Sequence, residues 1–438
     1  MQHFARYEKK RVLSWNHMVK LKLINDNVDC GSSSIINNTV GNLLLAMIIH
    51  LKKIWNAMEV AEQKACQGYA SLNILSSPLT IDPSLPLPHI KNHIVELCKD
   101  MFKDWSKLDD SCFLVERISG GITNLLLKVS VKEENCVDVS IAIRLFGLNT
   151  DSIIDRQREL QATKYISAAG FGAKWLGVFG NGMVHSFIIA NTLTPSDMRE
   201  PKQAAKIAKQ LQRFHQVEIP GSKEPQLWNE IRKFFEQASV LEFDDIKKQK
   251  IYETISFVKV HDEIVELKEV TDRLNSPVVY AHNDLLSGNV MINNEQDKVY
   301  LIDYEYASYN YRGYDIGNHF AEYAGFDCDY TFYPNRNEQY HFFRHYLQPE
   351  RPNEVAREDL ETLYVEANAF ALASHIFWAL WALIQAKVSP IDFDYLGYFF
   401  LRYKEYKRQK DKYLLLARSY IAGCKINGNI HSDQTHLN

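Results

Sequence analysis

HNDLLSGN, residues 282–289, carries an acid, Asp284, and an amide, Asn289, five positions apart in a glycine-bearing loop, with His282 two residues before the acid. PVVYA (277–281) runs into this stretch, and VMI (290–292) and VYLIDYEY (299–306) run out of it. The order is therefore strand, polar loop, strand, turn, strand, acid. Residues of these kinds also cap and shape ordinary turns, so the octapeptide alone leaves both readings open.

Phosphoryl transfer asks little covalent chemistry of a protein. It needs a carboxylate to accept the proton of the attacking hydroxyl, and oxygen ligands to hold Mg²⁺ against nucleotide phosphates. Asp284 suits the first task; Asn289 and Asp303 suit the second, because hard cations take carboxylate and amide oxygens. The spacing matches the protein-kinase loop H-R-D-L-x-x-x-N followed by D-F-G. Here Asn283 stands at the arginine position and Asp303-Tyr304-Glu305 at D-F-G.

Two upstream features fit the same order. SGGITN (119–124) is a strand-flanked glycine turn whose backbone amides could lie over phosphates, although Gly-Gly turns are commonplace in hairpins. Arg144 interrupts the apolar strand IAIRLFG (141–147), where a charge needs a partner, and Glu159 on the following helix is the natural one. An outward-facing strand position would also explain Arg144.

The pattern along the chain predicts an α+β protein (α/β in the broad sense). Residues 1–88 read as a poorly ordered or loosely helical extension, closed by the proline-rich linker SSPLTIDPSLPLP (76–88). Strands are predicted around the Gly-Gly turn (113–131) and at 138–147, a helix ends at Gly170, and a hairpin over 175–190 has Asn181-Gly182 at its turn. Helix dominates after residue 200. The expected division is a small sheet-rich lobe at 89–195, a larger helical lobe at 196–425 and a tail at 426–438.

Composition narrows the classes. The chain has 438 residues, 46% of them hydrophobic, and a net charge of −4, with no basic excess to favour a nucleic-acid partner. Seven cysteines without a CxxC pair fit free thiols in a reducing compartment and argue against zinc. The apolar run GNLLLAMIIHL (41–51) is too short to span a bilayer, and AFALASHIFWALWALI (369–384) reads as a buried helix. No transmembrane span is expected.

HNDLLSGN, LIDYEYASYNYRGYDIGNHFAEY (301–323) and ALASHIFWALWALIQAK (371–387) together resemble the choline/ethanolamine kinases, from about residue 89 to 407. Leu285-Leu286 after HND, and Ala324-Gly325 after the NHFxEY run, make the resemblance closer to the ethanolamine members. It implies a two-lobed, protein-kinase-like fold and ATP- and Mg²⁺-dependent phosphorylation of an amino alcohol. Asp284 would be the base, Asn289 and Asp303 the metal ligands, Arg144 and Glu159 the nucleotide-lobe pair, and Gly120, Gly121, Thr123 and Asn124 the phosphate-facing loop. The resemblance also implies a cytoplasmic enzyme whose partners are ethanolamine and ATP, with a homodimer allowed. Ser186-Phe187-Ile188 and Ala190-Asn191 depart from the family pattern, which touches the adenine contacts.

On the acceptor side, an ammonium group is attracted to ring faces and carboxylates. Tyr306, Trp378, Trp381, Phe393 and Tyr398 supply rings, and the resemblance sets such rings around the ammonium end, with Glu305 on the same side. Trp378 and Trp381 also suit plain core packing at helical spacing. Asp315, Asn318 and Glu322 follow on one helix start, with Glu322 the candidate acceptor for ammonium N–H groups; Asp315 equally suits an anchor for the preceding loop. His282 and His319 read as hydrogen-bonded scaffold. Choline as acceptor, a protein acceptor, and an inactive scaffold working through residues 1–80 remain as alternatives.

Overall fold

The computed structural model describes residues 74–118, 124–132, 139–147, 150 and 154–434, with side chains as far as 423. The chain divides into two compact units, Met1–Ala70 and Ser71–Asn438, and everything below concerns the second. The expected N-terminal extension up to residue 73, together with Gly120, Gly121 and Thr123, lies outside the described residues.

The first half of the unit runs β1 (Leu75–Ser76), α1 (Leu87–Met101), β2 (Phe113–Arg117), β3 (Asn124–Val131), β4 (Val139–Phe146), α2 (Arg156–Ala168), β5 (Trp175–Phe179) and β6 (Gly182–Ser186). The strands form one six-stranded sheet in the order β1-β5-β6-β4-β3-β2. Its ladders are antiparallel except β1 on β5. Alternation along β3 and β4 buries Leu127, Val129, Ile141 and Ile143 against Ile90 and Ile94 of α1. Arg144, at an out-of-phase position of β4, consequently belongs to the other face.

Two local expectations are corrected here. The proline-rich stretch is not a free linker but an added edge of this sheet: Ser77 N donates to Val178 O (3.1 Å) and Gly180 N to Leu79 O (2.8 Å). The Asn181 side chain exchanges two further bonds with the Ile81 backbone, at 2.9 and 2.7 Å. Proline lacks a donor but keeps its carbonyl, so it is tolerated on an edge. The β5–β6 turn is Gly180-Asn181, one residue earlier than expected, because Phe179 pairs with Gly182. Gly182 is needed inside the strand: a Cβ there would sit 2.3 Å from the Arg144 carbonyl oxygen.

The second half is mainly helical. It contains β7 (Asn191–Thr192), α3 (Pro195–Arg199), α4 (Pro201–Phe214), α5 (Leu227–Ala238), α6 (Ile246–Tyr252), α7 (Phe257–Asp272), β8 (Val278–Ala281), β9 (Val290–Asn293), β10 (Lys298–Leu301), β11 (Ser308–Tyr311), α8 (Arg312–Ala321), α9 (Arg336–Leu347), α10 (Arg357–Val388) and α11 (Tyr395–Gln434). The last helix runs through Gln434, past the tail expected from 426. β10-β9-β7 and β11-β8 are two small sheets, and the loop 282–289 passes from one to the other.

α10 is the axis of this half. It packs against α5, α7, α8, α9 and α11, and its side chains are buried from Leu363 to Gln385. By length and apolar composition it would suit a bilayer, yet its apolar stretch is wholly buried inside the protein. α8 lies close against it: a Cβ at Gly317 would stand 2.3 Å from the Ala367 carbonyl oxygen. Tyr306, in the turn before β11, meets Phe377 and Trp378 of α10.

Candidate active site

The loop 282–289 is held from beneath by one buried carboxylate. Asp315, in the first turn of α8, accepts the backbone N–H groups of His282 (2.8 Å) and Asn283 (2.7 Å) and a ring nitrogen of His215 (2.8 Å). Asn283, at the position where protein kinases carry arginine, has φ +64°. Left-handed backbone is uncommon outside glycine and most accessible to Asn and Asp. Its side chain donates to Tyr306 O and Ser308 Oγ, each at 2.9 Å, and accepts from Asn310. His282 reaches Ile302 O and His319 reaches Leu285 O. Burial pushes both imidazoles down, His319 to about 4, so both are neutral scaffold.

Asp284 therefore leaves a rigid turn. Asn289 Nδ2 donates to both the Asp284 carbonyl (2.8 Å) and its Oδ2 (3.0 Å). Among the described residues no donor then meets the Asn289 amide oxygen, the state a metal ligand needs. The Asp284 carboxyl is pushed well above the usual carboxylate range, first by burial and then by the charges of Glu322, Asp303 and Glu305. A proton acceptor surrounded by like charges is poised for a site where cations assemble.

Asp303 also has positive φ, +65°. Arg144 meets three carboxylates: Glu159 at 2.8 Å, Asp303 at 3.0 Å and Glu305 at 2.7 Å. Ligand oxygens of these three acids lie within 4.8 Å of one another. Asn124 Nδ2 donates to the same Glu305 oxygen at 3.0 Å. Glu305, expected on the amine side, is thus placed with Arg144 and Asn124. Glu305 and Tyr306 occupy a turn closed by the Ala307 N–H on Tyr304 O (3.0 Å), from which Tyr306 goes to the rings and Glu305 to Arg144. Arg156, which the sequence reading did not single out, donates to Glu159 at 2.7 Å and lies over the Phe146 ring at 4.3 Å. The donor set of Asn289, Asp303 and the neighbouring acids is all hard oxygen, and fits Mg²⁺ in kind.

The expected rings meet in a row. Tyr306 and Trp378 stand 5.3 Å apart, Trp378 and Trp381 5.5 Å, and Phe393 and Tyr398 5.7 Å, with Tyr395 bridging Trp381 to Phe393. Their polar edges are tied: Trp381 Nε1 donates to Tyr306 Oη (2.9 Å) and Trp378 Nε1 to Asn318 Oδ1 (2.7 Å). Glu322 is buried and ion-paired at 2.7 Å to Arg402, a second cation that the sequence reading missed. An open cleft of about 490 Å³, lined by Phe326, Phe393, Tyr398 and Leu401 among others, adjoins the row.

Residues 115–407 match the family model described as Choline/ethanolamine kinase. The chain is 61% identical to a probable ethanolamine kinase of Arabidopsis thaliana over 371 residues, covering 85% of this chain and 98% of that one. Among solved structures, an ethanolamine kinase of Plasmodium vivax superposes with a TM-score of 0.64 at 31% identity, over 76% of this chain and 97% of its own. A choline kinase of Cryptosporidium parvum gives 0.63 at 25% identity, over 75% and 99%. The two-lobed, protein-kinase-like architecture is therefore shared, and the chain belongs to the choline/ethanolamine kinase family.

Proposed function

We infer that the protein transfers the γ-phosphoryl group of ATP to the hydroxyl of ethanolamine, giving phosphoethanolamine, the first step towards phosphatidylethanolamine. The identity to the plant relative supports this reading. The observation that carries it is the position of Asp284 between two differently built surroundings: the Arg144 cluster of acids and the row of rings ending at Glu322.

In this reading the rings and Glu322 hold the ammonium end, leaving the hydroxyl towards Asp284. Asp284 takes the hydroxyl proton while the oxygen bonds to the γ-phosphorus, and the bond to the β–γ bridging oxygen breaks to release ADP. Asn289 keeps Asp284 from rotating, and Asp315 keeps the loop from shifting. Arg144 and Glu159 serve the nucleotide phosphates, with Asn124 at the edge of the phosphate-facing turn. Asn289 and Asp303 would hold Mg²⁺, which when bound neutralises phosphate charge. The nucleotide lobe is taken as residues 89–195 and the amine lobe as 196–425.

The test is purified protein with ATP, Mg²⁺ and ethanolamine beside an Asp284→Asn control. Absence of phosphoethanolamine, or an undiminished rate in the variant, counts against the reading. Rings bind quaternary ammonium as well, so choline is the second reading, decided by comparing kcat/KM for the two amines. The reading extends to a cytoplasmic location, checked by imaging a tagged full chain, and self-association is checked by mass in solution.

A further inference from the structure

Arg402 is the largest wholly buried side chain among the described residues. It lies on α11 one turn after Tyr398. A guanidinium at that depth is unfavourable by several kcal/mol unless charge and hydrogen bonds compensate it, so what it touches defines its purpose. Nη1 donates to Glu322 Oε1 at 2.7 Å and to Tyr398 Oη at 3.2 Å. Nη2 donates to Ser374 Oγ at 3.0 Å and Ser374 O at 3.4 Å. Ser374 in turn donates to Asn318 Oδ1, the same atom that accepts from Trp378 Nε1, both at 2.7 Å. One side chain thus orients the carboxylate and Tyr398 directly, and Trp378 through Ser374 and Asn318. A planar fork can do this; a single ammonium cannot reach all of these partners at once.

Glu322 Oε1 is thereby occupied, while Oε2 accepts from no described side chain. Glu322 also follows by one turn Asn318 and His319, which bond the loop carbonyls of Asn283 and Leu285 on either side of Asp284. We propose that Arg402 is the positioning residue that sets head-group specificity: it turns Glu322 so that one carboxylate oxygen is presented to an ammonium group that still carries N–H donors. The proposal rests on the amino-alcohol reading given above.

The chemistry is one of direction against charge. Ethanolammonium brings three N–H donors and choline none. The rings attract every such cation. An unpaired Glu322 would likewise attract every cation, because bare charge does not distinguish them. With Arg402 cancelling that charge and fixing the orientation, what remains at Oε2 is a directed acceptor, useful only to a donor. Loss of Arg402 should therefore narrow the gap between primary and quaternary amines.

The experiment measures kcat/KM for ethanolamine, N-methylethanolamine, N,N-dimethylethanolamine and choline by ADP release, with the full chain. In Arg402→Met the ethanolamine-to-choline ratio falls about 10- to 100-fold, the scale of one charge-assisted hydrogen bond. The loss is carried by the amine KM, graded by the number of N–H donors, with the ATP KM unchanged, and Arg402→Lys recovers part of it. An unchanged ratio, equal losses on all four amines, or a shifted ATP KM overturns the proposal. Because Arg402→Met strands a buried charge, Arg402→Met/Glu322→Gln is measured beside Glu322→Gln. Their ratios must agree within about twofold if Arg402 acts through Glu322; a larger difference overturns it. A wild type that phosphorylates none of the four amines refutes the underlying function and the proposal with it. An active wild type with invariant ratios refutes Arg402's role alone.

Discussion

Asp315 Oδ1 accepts the backbone N–H of Asn283 at 2.7 Å while Asn283 itself is held at φ +64°. The carboxylate compensates a backbone conformation that would otherwise be strained by about 1–3 kcal/mol. Replacing it with an amide puts a donor where two N–H groups need acceptors. Asp315→Asn should lower stability by about 2–4 kcal/mol in urea unfolding and depress kcat more than either KM.

The same residue gives an acid-side signature. Burial by itself would raise the Asp315 carboxyl, but the hydrogen bond and charge of His215 and the backbone N–H of His282 hold it below the ordinary 3.8. A folded value below the unfolded one stabilises the protein above that pH and is lost as pH falls through the folded value. Wild-type stability should therefore fall more steeply below about pH 4 than that of Asp315→Asn, as measured by melting temperature across acid buffers.

Asp284 has the opposite sign. Burial, then Glu322, Asp303 and Glu305, raise its folded value, so the folded state binds the proton more readily than the unfolded one. Stability then falls as pH rises from the unfolded value through the folded one. Asp284→Asn should melt higher than wild type at neutral pH in chelator, while losing about 10²- to 10⁴-fold in kcat with Mg²⁺ restored. A lower melting temperature contradicts this balance.

Arg144 spreads one fork over Glu159, Asp303 and Glu305. Lysine keeps the charge but loses the fork. Arg144→Lys should raise the KM for ATP by about 10- to 100-fold and leave that for ethanolamine within about threefold. Initial rates with each substrate varied in turn decide it.

Trp378 offers both a ring face in the row and the N–H that engages Asn318. Trp378→Phe should raise the ethanolamine KM by about 2- to 30-fold, the range of a cation–π contact, with the ATP KM unaltered. If the ATP value moves instead, the row belongs to the nucleotide.

Asp284 and Asn289 sit in one short loop and hydrogen-bond to each other, so their meeting could be read from spacing alone. Arg144 was legible too, because a charge inside an apolar strand demands a partner. Arg402 was not: in LRYKEYKRQK it is one cation among several, and its burial depends on α10, Glu322 and Tyr398 closing over it. Glu305 was expected on the amine side because the turn over 305–306, closed between Ala307 and Tyr304, is not visible in the sequence pattern. The hairpin slipped by one residue because Asn-Gly is a strong turn signal, while the crowding at Gly182 is visible only in three dimensions.

During synthesis α10 is a problem of timing. Until Tyr395 and the helix beyond it have been made, thirty-two residues with bilayer-like character lack one of the surfaces that hide them. A chain stopped before α11 would carry that greasy cylinder partly bare, along with an unanswered Glu322. Such a fragment should stick to membranes and to itself rather than act as a weaker enzyme.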